Sequence, residues 1–201
     1  MNKTLILLAG YPATGKSYLC SKIRKRFPQF SALSQDNIKE KLWDQYGFNN
    51  QEEKTALEMR SWELFYAILD KEMEKSKMLI SDYPFSEKQK DRLRALAMKY
   101  GYQVITIRLI CDIDVLYQRS RMRDLNPDRH LGHLVSIYHK GDELENRNEA
   151  DCFISYDIFR ERCRERGYDK FELGYLIEID VTDYERIDYS QVIGEIERLL
   201  L

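Results

Sequence analysis

The sequence predicts an α/β protein, a three-layer α/β/α fold in which helices cover both faces of a five-stranded parallel sheet. Three observations carry this expectation. Short apolar runs alternate with amphipathic helical stretches along the chain. The first run, Thr4-Leu5-Ile6-Leu7-Leu8-Ala9, is continuously apolar, as a central parallel strand buried on both faces must be. A glycine-bearing octet then joins that run to a helix, at the strand edge where α/β proteins collect ligands.

The elements follow in order. After the octet, Leu19, Cys20, Ile23 and Phe27 recur at helical spacing until Pro28 stops the pattern. Phe30 to Ser34 reads as a short second strand, and Asp36 opens a helix carrying Leu42, Trp43 and Tyr46 before Gly47 ends it. A long helix from about Gln51 to Lys75 should bury Leu57, Leu64 and Ile68, with Phe65 and Leu69 beside them. Met78 to Asp82 is a third strand that ends in an acid. Ser86 and Gln89 form a capping-box pattern ahead of Leu93, Leu96, Ala97 and Tyr100, with Gly101 as the stop. Tyr102 to Leu109 is the fourth strand, and Asp112 or Asp114 can cap the helix that runs into an arginine-rich stretch. Residues 123–175 are the least regular: a loop at 124–132, then charged helical segments to about Arg166. Tyr175 to Asp180 is the fifth strand, and a last helix buries Val192, Ile193, Ile196, Leu199 and Leu200.

The octet Gly10-Tyr11-Pro12-Ala13-Thr14-Gly15-Lys16-Ser17 fits G-x-x-x-x-G-K-[ST] between the strand and helix that this motif requires. Glycines let successive backbone N–H groups turn inward on phosphate oxygens at the positive end of a helix dipole. Lys16 is then placed to reach the β- and γ-phosphates of a nucleoside triphosphate, and the Ser17 hydroxyl to bind Mg²⁺.

Composition narrows the class. At 201 residues, with 43% hydrophobic and 33% charged residues, the chain suits one domain, 1–201, with a full core. No apolar run approaches membrane-spanning length, and the early one lacks the flanks of a signal peptide, so a cytoplasmic protein without membrane contact is expected. Cys20, Cys111, Cys152 and Cys163 form no C-x-x-C pair and fit a reduced compartment. A net charge of −2 supplies no basic field for bulk nucleic-acid binding. His130, His133 and His139 have no Cys or carboxylate nearby to complete a known zinc spacing.

No N-K-x-D guanine signature and no L-S-G-G-Q transporter signature follows the octet, which favours a small kinase. At this point the chain resembles a family, the small phosphate-loop kinases related to phage-type polynucleotide 5′-kinases, chloramphenicol phosphotransferases and zeta-type toxins. The resemblance spans nearly the whole length. It rests on GYPATGKS, SQDNIKEKLWDQYGF, LISDYPF, RLICDIDVLYQRSRMRDLNPDRH and YLIEIDVTDYERIDY. It implies an adenylate-kinase-like architecture of the P-loop NTPases, with an arginine-rich lid at roughly 119–133 and acceptor-binding regions at roughly 36–70 and 134–170.

The resemblance also implies roles. Asp36 takes the place of the acid that approaches the acceptor hydroxyl, although its position suits a helix N-cap as well. Asp82 takes the place of the acid that holds the Mg²⁺ water shell beside Ser17, a turn aspartate being the alternative. Arg119 and Arg123, with Arg121 and Arg129 flanking them, match arginines that close over the triphosphate; a solvated basic helix is the bland reading. Trp43, Tyr46, Phe48, Trp62, Phe65 and Tyr66 fall where such kinases build acceptor pockets, and most should be core.

Two departures stand out. Tyr18 replaces the Ser or Thr that many relatives carry after the Mg²⁺ serine, and Gln35 stands where polynucleotide kinases tend to have arginine. The expected reaction is therefore ATP- and Mg²⁺-dependent transfer to a hydroxyl of a small molecule. A polynucleotide 5′-hydroxyl kinase and a non-catalytic ATP sensor are the alternatives.

Overall fold

A computed structural model describes residues 3–201 of the protein. The chain runs β1 (Thr4–Gly10), α1 (Lys16–Arg26), β2 (Ser31–Ala32), α2 (Gln35–Tyr46), α3 (Gln51–Glu74), β3 (Leu79–Asp82), α4 (Glu87–Tyr100), β4 (Gln103–Ile110), α5 (Ile113–Leu125), α6 (Tyr156–Arg166), β5 (Tyr175–Asp180) and α7 (Tyr189–Leu200). The five strands form one parallel sheet in the order β2-β3-β1-β4-β5. It is the α/β sheet expected from the alternating pattern.

β1 lies at the centre, with Leu5 paired to Leu79 of β3 on one side and to Val104 of β4 on the other. Leu5 to Ala9 are all fully buried, which is why the run carries no polar alternation. Ile6 and Leu8 pack with Leu19 and Ile23 of α1 and Val192 and Ile196 of α7. Leu5 and Leu7 pack on the opposite face with Phe65, Leu69 and Met73 of α3 and Leu93 of α4. Each such side chain contributes about 1.5–3 kcal/mol relative to an exposed one, so the loop that follows β1 hangs from the stiffest part of the molecule.

Local chemistry sets the helix ends. Ser86 and Gln89 complete the capping box of α4, Gly101 takes the left-handed conformation that closes it, and Asp112 caps α5 by accepting from the N–H groups of Asp114 and Val115. Among the described residues no helix is long and apolar enough to cross a membrane.

Three expectations are corrected. In α3 the buried stripe is Phe65, Tyr66, Leu69 and Met73, whereas Leu64 and Ile68 are each 38% exposed, because the sheet meets the helix about one position further round. Residues 134–155 are not helical: beyond α5 only 3₁₀ turns at Leu131–His133 and Arg147–Glu149 precede α6. There the His130 ring accepts from Gly132 N–H and the Asn146 side chain from Asn148 N–H, local bonds that compete with helix formation. Asp36 is not an N-cap; Ser34 caps α2, accepting from Asn37 N–H, and leaves the Asp36 carboxylate for other partners.

Candidate active site

The octet folds as a loop between β1 and α1, and its backbone explains its sequence. Gly10 has φ 109°, and a Cβ there would stand 2.1 Å from the Leu109 carbonyl oxygen of β4, so only glycine fits. Ala13 and Gly15 also have positive φ, which turns the loop over the start of α1. Lys16 is buried, and its ammonium donates to the carbonyls of Gly10 at 3.1 Å and Tyr11 at 2.5 Å and to Thr14 Oγ1 at 3.3 Å. Burial pushes its pKa down to about 7 despite the attraction of Asp82. All three partners are neutral oxygens, which leaves the ammonium's charge unmatched by them.

Ser17, the first-turn hydroxyl of α1, donates to Asp82 Oδ2 at 2.6 Å. The partners are 65 residues apart; adjacent parallel strands β1 and β3 bring them to the same carboxyl edge. Burial raises the pKa of Asp82, and Asp36 adds to that rise while Ser17 and Lys16 oppose it. A serine hydroxyl and one carboxylate are the few hard oxygens that Mg²⁺ takes from a protein when phosphate and water complete its shell, so these residues fit that ion.

Asp36 sits in the first turn of α2, one turn before Lys39, whose ammonium binds its Oδ1 at 2.7 Å. Burial would raise the Asp36 pKa, but Lys39, Arg129 and Arg123 together hold it below the ordinary carboxylate value. It is thus an ionised acceptor at neutral pH. Asp36, Asp82, Lys16 and Ser17 line one cleft of about 450 Å³, together with Arg123 and Arg129.

The predicted arginines divide. Arg123 donates from Nε and Nη2 to Asp124 Oδ1 at 2.9 and 2.8 Å, and Arg129 Nε lies 3.8 Å from the same oxygen. Burial, then the neighbouring charge of Arg123, lowers the Arg129 pKa, and Arg129 Nε is buried without a hydrogen-bond partner. Two cations sharing one carboxylate leave positive charge uncompensated in the cleft. Arg121 also lines the cleft, lying 3.9 Å from the ring centre of Phe153. Arg119, one turn before Arg123 in α5, turns away: it donates to the carbonyls of Val181 at 2.6 Å and Thr182 at 2.9 Å and stacks 3.7 Å over Tyr184. The shared helix face expected for Arg119 and Arg123 does not carry their guanidinium groups to one place, because long side chains reach in opposite directions from it.

The remaining octet residues fall into two sets. Pro12, Ala13, Gly15, Lys16 and Ser17 line the cleft, whereas Gly10, Tyr11 and Thr14 hold Lys16 from behind. Tyr18 is 55% exposed and leans edge-on against Tyr189 of α7, with Lys22 over both rings. Of the aromatics noted in the sequence, Trp43, Phe48, Phe65 and Tyr66 are core, Tyr46 is exposed, and Trp62 lines a second chamber described below.

Sequence reasoning missed Lys39, Arg162 and Arg166, all of which line the cleft. Arg162 and Arg166 are four apart on α6, beside the buried Phe159 and Cys163, so their i,i+4 spacing was the available signal. His133 was noted only as a zinc candidate. It is paired to Glu40 at 2.7 Å and packed edge-on against Trp43, and burial holds its pKa well below the ordinary histidine value.

Solved structures with this fold include a kinase candidate from Chloroflexus aurantiacus J-10-fl, at TM-score 0.73 and 21% identity over 98% of this chain and 95% of that one. A gluconokinase from Sinorhizobium meliloti 1021 is similar at TM-score 0.55 and 12% identity, over 96% of this chain and 89% of that one. The tunicamycin resistance protein of Deinococcus radiodurans is similar at TM-score 0.55 and 16% identity, over 98% and 95%. At these identities the likeness is one of fold. No curated protein matches the chain. A family model described as an AAA domain matches residues 5–134, the stretch from β1 through the arginine-rich segment and thus well over half of the chain. With the phosphate loop, its serine–aspartate pair and strands β2, β3 and β4 inside that stretch, the protein belongs to the AAA domain family.

Proposed function

We propose that this protein is an ATP- and Mg²⁺-dependent phosphotransferase that moves the γ-phosphoryl group to a hydroxyl of a small molecule, working as one domain in the cytoplasm. The observation that carries this reading is the meeting of Lys16, the Ser17–Asp82 pair, Asp36 and two under-compensated arginines around one cleft. A module that only sensed nucleotide would have no use for an ionised carboxylate facing the phosphate end.

Lys16 exchanges its carbonyl partners for β- and γ-phosphate oxygens, and the amides of residues 10–17 hold the rest of the polyphosphate. Ser17 and Asp82 would hold Mg²⁺, which when bound would offset the negative charge of the triphosphate. Asp36 accepts the hydrogen bond of the acceptor hydroxyl and so aims an oxygen lone pair at the γ-phosphorus. As the new P–O bond forms, the bond from the γ-phosphorus to the β–γ bridging oxygen breaks, its electron pair leaves with ADP, and the hydroxyl proton passes to Asp36. Arg123 and Arg129 offset charge on the transferring group from a lid at roughly 119–133, and guanidinium forks suit its oxygens. Arg119 takes a different part, tying α5 to the loop after β5.

The test is product formation from ATP and a fractionated metabolite extract. Lys16→Met should abolish both nucleotide-dependent thermal stabilisation and product. Asp36→Asn should keep the stabilisation and lose transfer by about 10²–10⁴-fold. Undiminished transfer by Asp36→Asn would remove Asp36 from the mechanism, and product that survives Lys16→Met would overturn the proposal.

A further inference from the structure

Beside the cleft lies a second chamber of about 550 Å³, and the two share part of their wall, Lys39, Tyr83, His133, Arg162 and Arg166 among the residues common to both. Its own wall includes Gln35, Lys54, Glu58 and Trp62, none of which lines the phosphate cleft. The polar groups there are unevenly matched. Lys54 is only 7% exposed, yet its ammonium donates to a neutral carbonyl, Val135 O at 3.0 Å, and is flanked by the rings of Phe48 at 5.1 Å and Trp43 at 5.6 Å. No carboxylate pairs with it among the described residues, in contrast to Lys39, which is matched by Asp36.

Across the chamber stand two exposed arginines that also lack a carboxylate partner among the described residues. Arg166 donates to a neutral hydroxyl, that of Tyr168 at 2.9 Å, and Arg162 makes no ion pair among the described residues. Of the two acids in the wall, Asp151 is bound to the backbone N–H and hydroxyl of Ser136, which leaves Glu58 against Lys54, Arg162 and Arg166. A buried ammonium with no carboxylate at ion-pair distance is costly, and an anionic ligand would offset that cost.

Gln35 adds a second requirement. It is 1% exposed, its Nε2 donates to Ser61 Oγ at 2.7 Å, and Ser61 in turn donates to Glu58 O at 2.6 Å, so the amide cannot be turned round without losing a bond. Its Oε1 is buried with no donor.

We infer that the phosphoryl acceptor is a small hydroxylated anion, its carboxylate or phosphate held by Lys54, Arg162 and Arg166 in the second chamber while a hydroxyl is presented to Asp36. This rests on the phosphotransferase reading above and names the acceptor's class. A triphosphate held on residues 10–17 does not account for Lys54, which stands outside that cleft. The transfer balances as already written, giving ADP and a phosphomonoester of the anion.

The experiment separates a low-molecular-mass metabolite extract on an anion exchanger into unbound and salt-eluted fractions and incubates each with the protein and ATP. Mass spectrometry then seeks a phosphorylated product that is lost with Lys16→Met. The product is expected from the salt-eluted fraction. Product from the unbound fraction alone would overturn the anionic acceptor and leave the kinase standing, whereas product from neither would overturn the kinase reading and this inference with it. Treating the salt-eluted fraction with alkaline phosphatase, then removing that enzyme, distinguishes the two anions: lost activity identifies a phosphate, retained activity a carboxylate. With the active fraction as acceptor, Lys54→Met should raise the acceptor KM by at least about tenfold without changing the ATP KM, and Lys54→Arg should recover part of it. Arg162→Gln, an exposed substitution that does not threaten folding, should move the same constant in the same direction. An unchanged acceptor KM in both Lys54→Met and Arg162→Gln would remove the chamber from acceptor binding.

Discussion

Lys16 shows how one side chain couples fold, protonation and ligand. Burial lowers its pKa from 10.5 to about 7, so between those pH values the unfolded chain holds a proton here that the folded chain lacks. Through this group stability therefore rises with pH across that window and is lowest below it. A polyphosphate in the loop restores the charge, so nucleotide binding at pH 8 should take up as much as about one proton. Titration calorimetry in two buffers of different ionisation enthalpy measures this directly, and buffer-independent heats would refute it. Gly10 shows the steric counterpart. Gly10→Ala would push a Cβ to 2.1 Å from a backbone oxygen in a left-handed conformation, so a loss of about 1–3 kcal/mol or more is expected in urea unfolding, with weakened nucleotide binding. The glycine, lysine and serine were all legible in the sequence because the motif is local. The Ser17–Asp82 bond was only half legible: each residue could be named, but their 2.6 Å contact needs the pairing of β1 with β3.

At the scale of elements, the arginine-rich segment depends on a residue that no motif marks. Arg147, in the 3₁₀ turn Arg147–Glu149, donates to Arg129 O and Pro127 O, each at 2.8 Å, and so holds the loop that presents Arg129. Arg147→Ala should speed amide hydrogen exchange in residues 126–131 by about tenfold, in line with the loss of one or two charge-assisted hydrogen bonds. Transfer should slow while the fold stays intact. Unaltered exchange in that loop would show that Arg147 does not restrain it. The stretch 134–155 was misread as helical because its charged residues resemble a solvated helix, whereas the Asp142, Asn146 and Asp151 side chains there accept from nearby backbone N–H groups. An antiparallel bridge, with Phe48 N–H to Tyr138 O and Tyr138 N–H to Phe48 O at 2.8 Å each, ties this stretch to the end of α2. That bridge joins residues that sequence periodicity treats as unrelated.

The whole molecule is a rigid parallel sheet with a charged cleft at its carboxyl edge, so ligand and fold should be linked by mass action. ATP with Mg²⁺ at about 100 times its Kd should add about 2.7 kcal/mol to stability, which for a chain of this size is a rise in Tm of about 5–10 °C. Differential scanning fluorimetry checks this, and a Tm indifferent to nucleotide would contradict binding at the loop. His133 gives the acid side its slope. Its folded pKa lies well below 6.5, so below about pH 6.5 the unfolded chain gains a proton that the buried ring refuses, and this group's contribution to stability falls as pH drops.

Read alone, the amino-acid order established the α/β class, the central strand, the phosphate loop and the acid that ends β3, since each is written in a short window by periodicity, glycine or capping chemistry. It could not say which way Arg119 reaches, that Arg162 and Arg166 join the cleft, or that Lys54 lies buried without a counter-ion. Those facts depend on contacts between segments such as Lys54 and Val135, 81 positions apart, and only the packed chain decides which side chains share water-free space and which charges are left to seek a ligand.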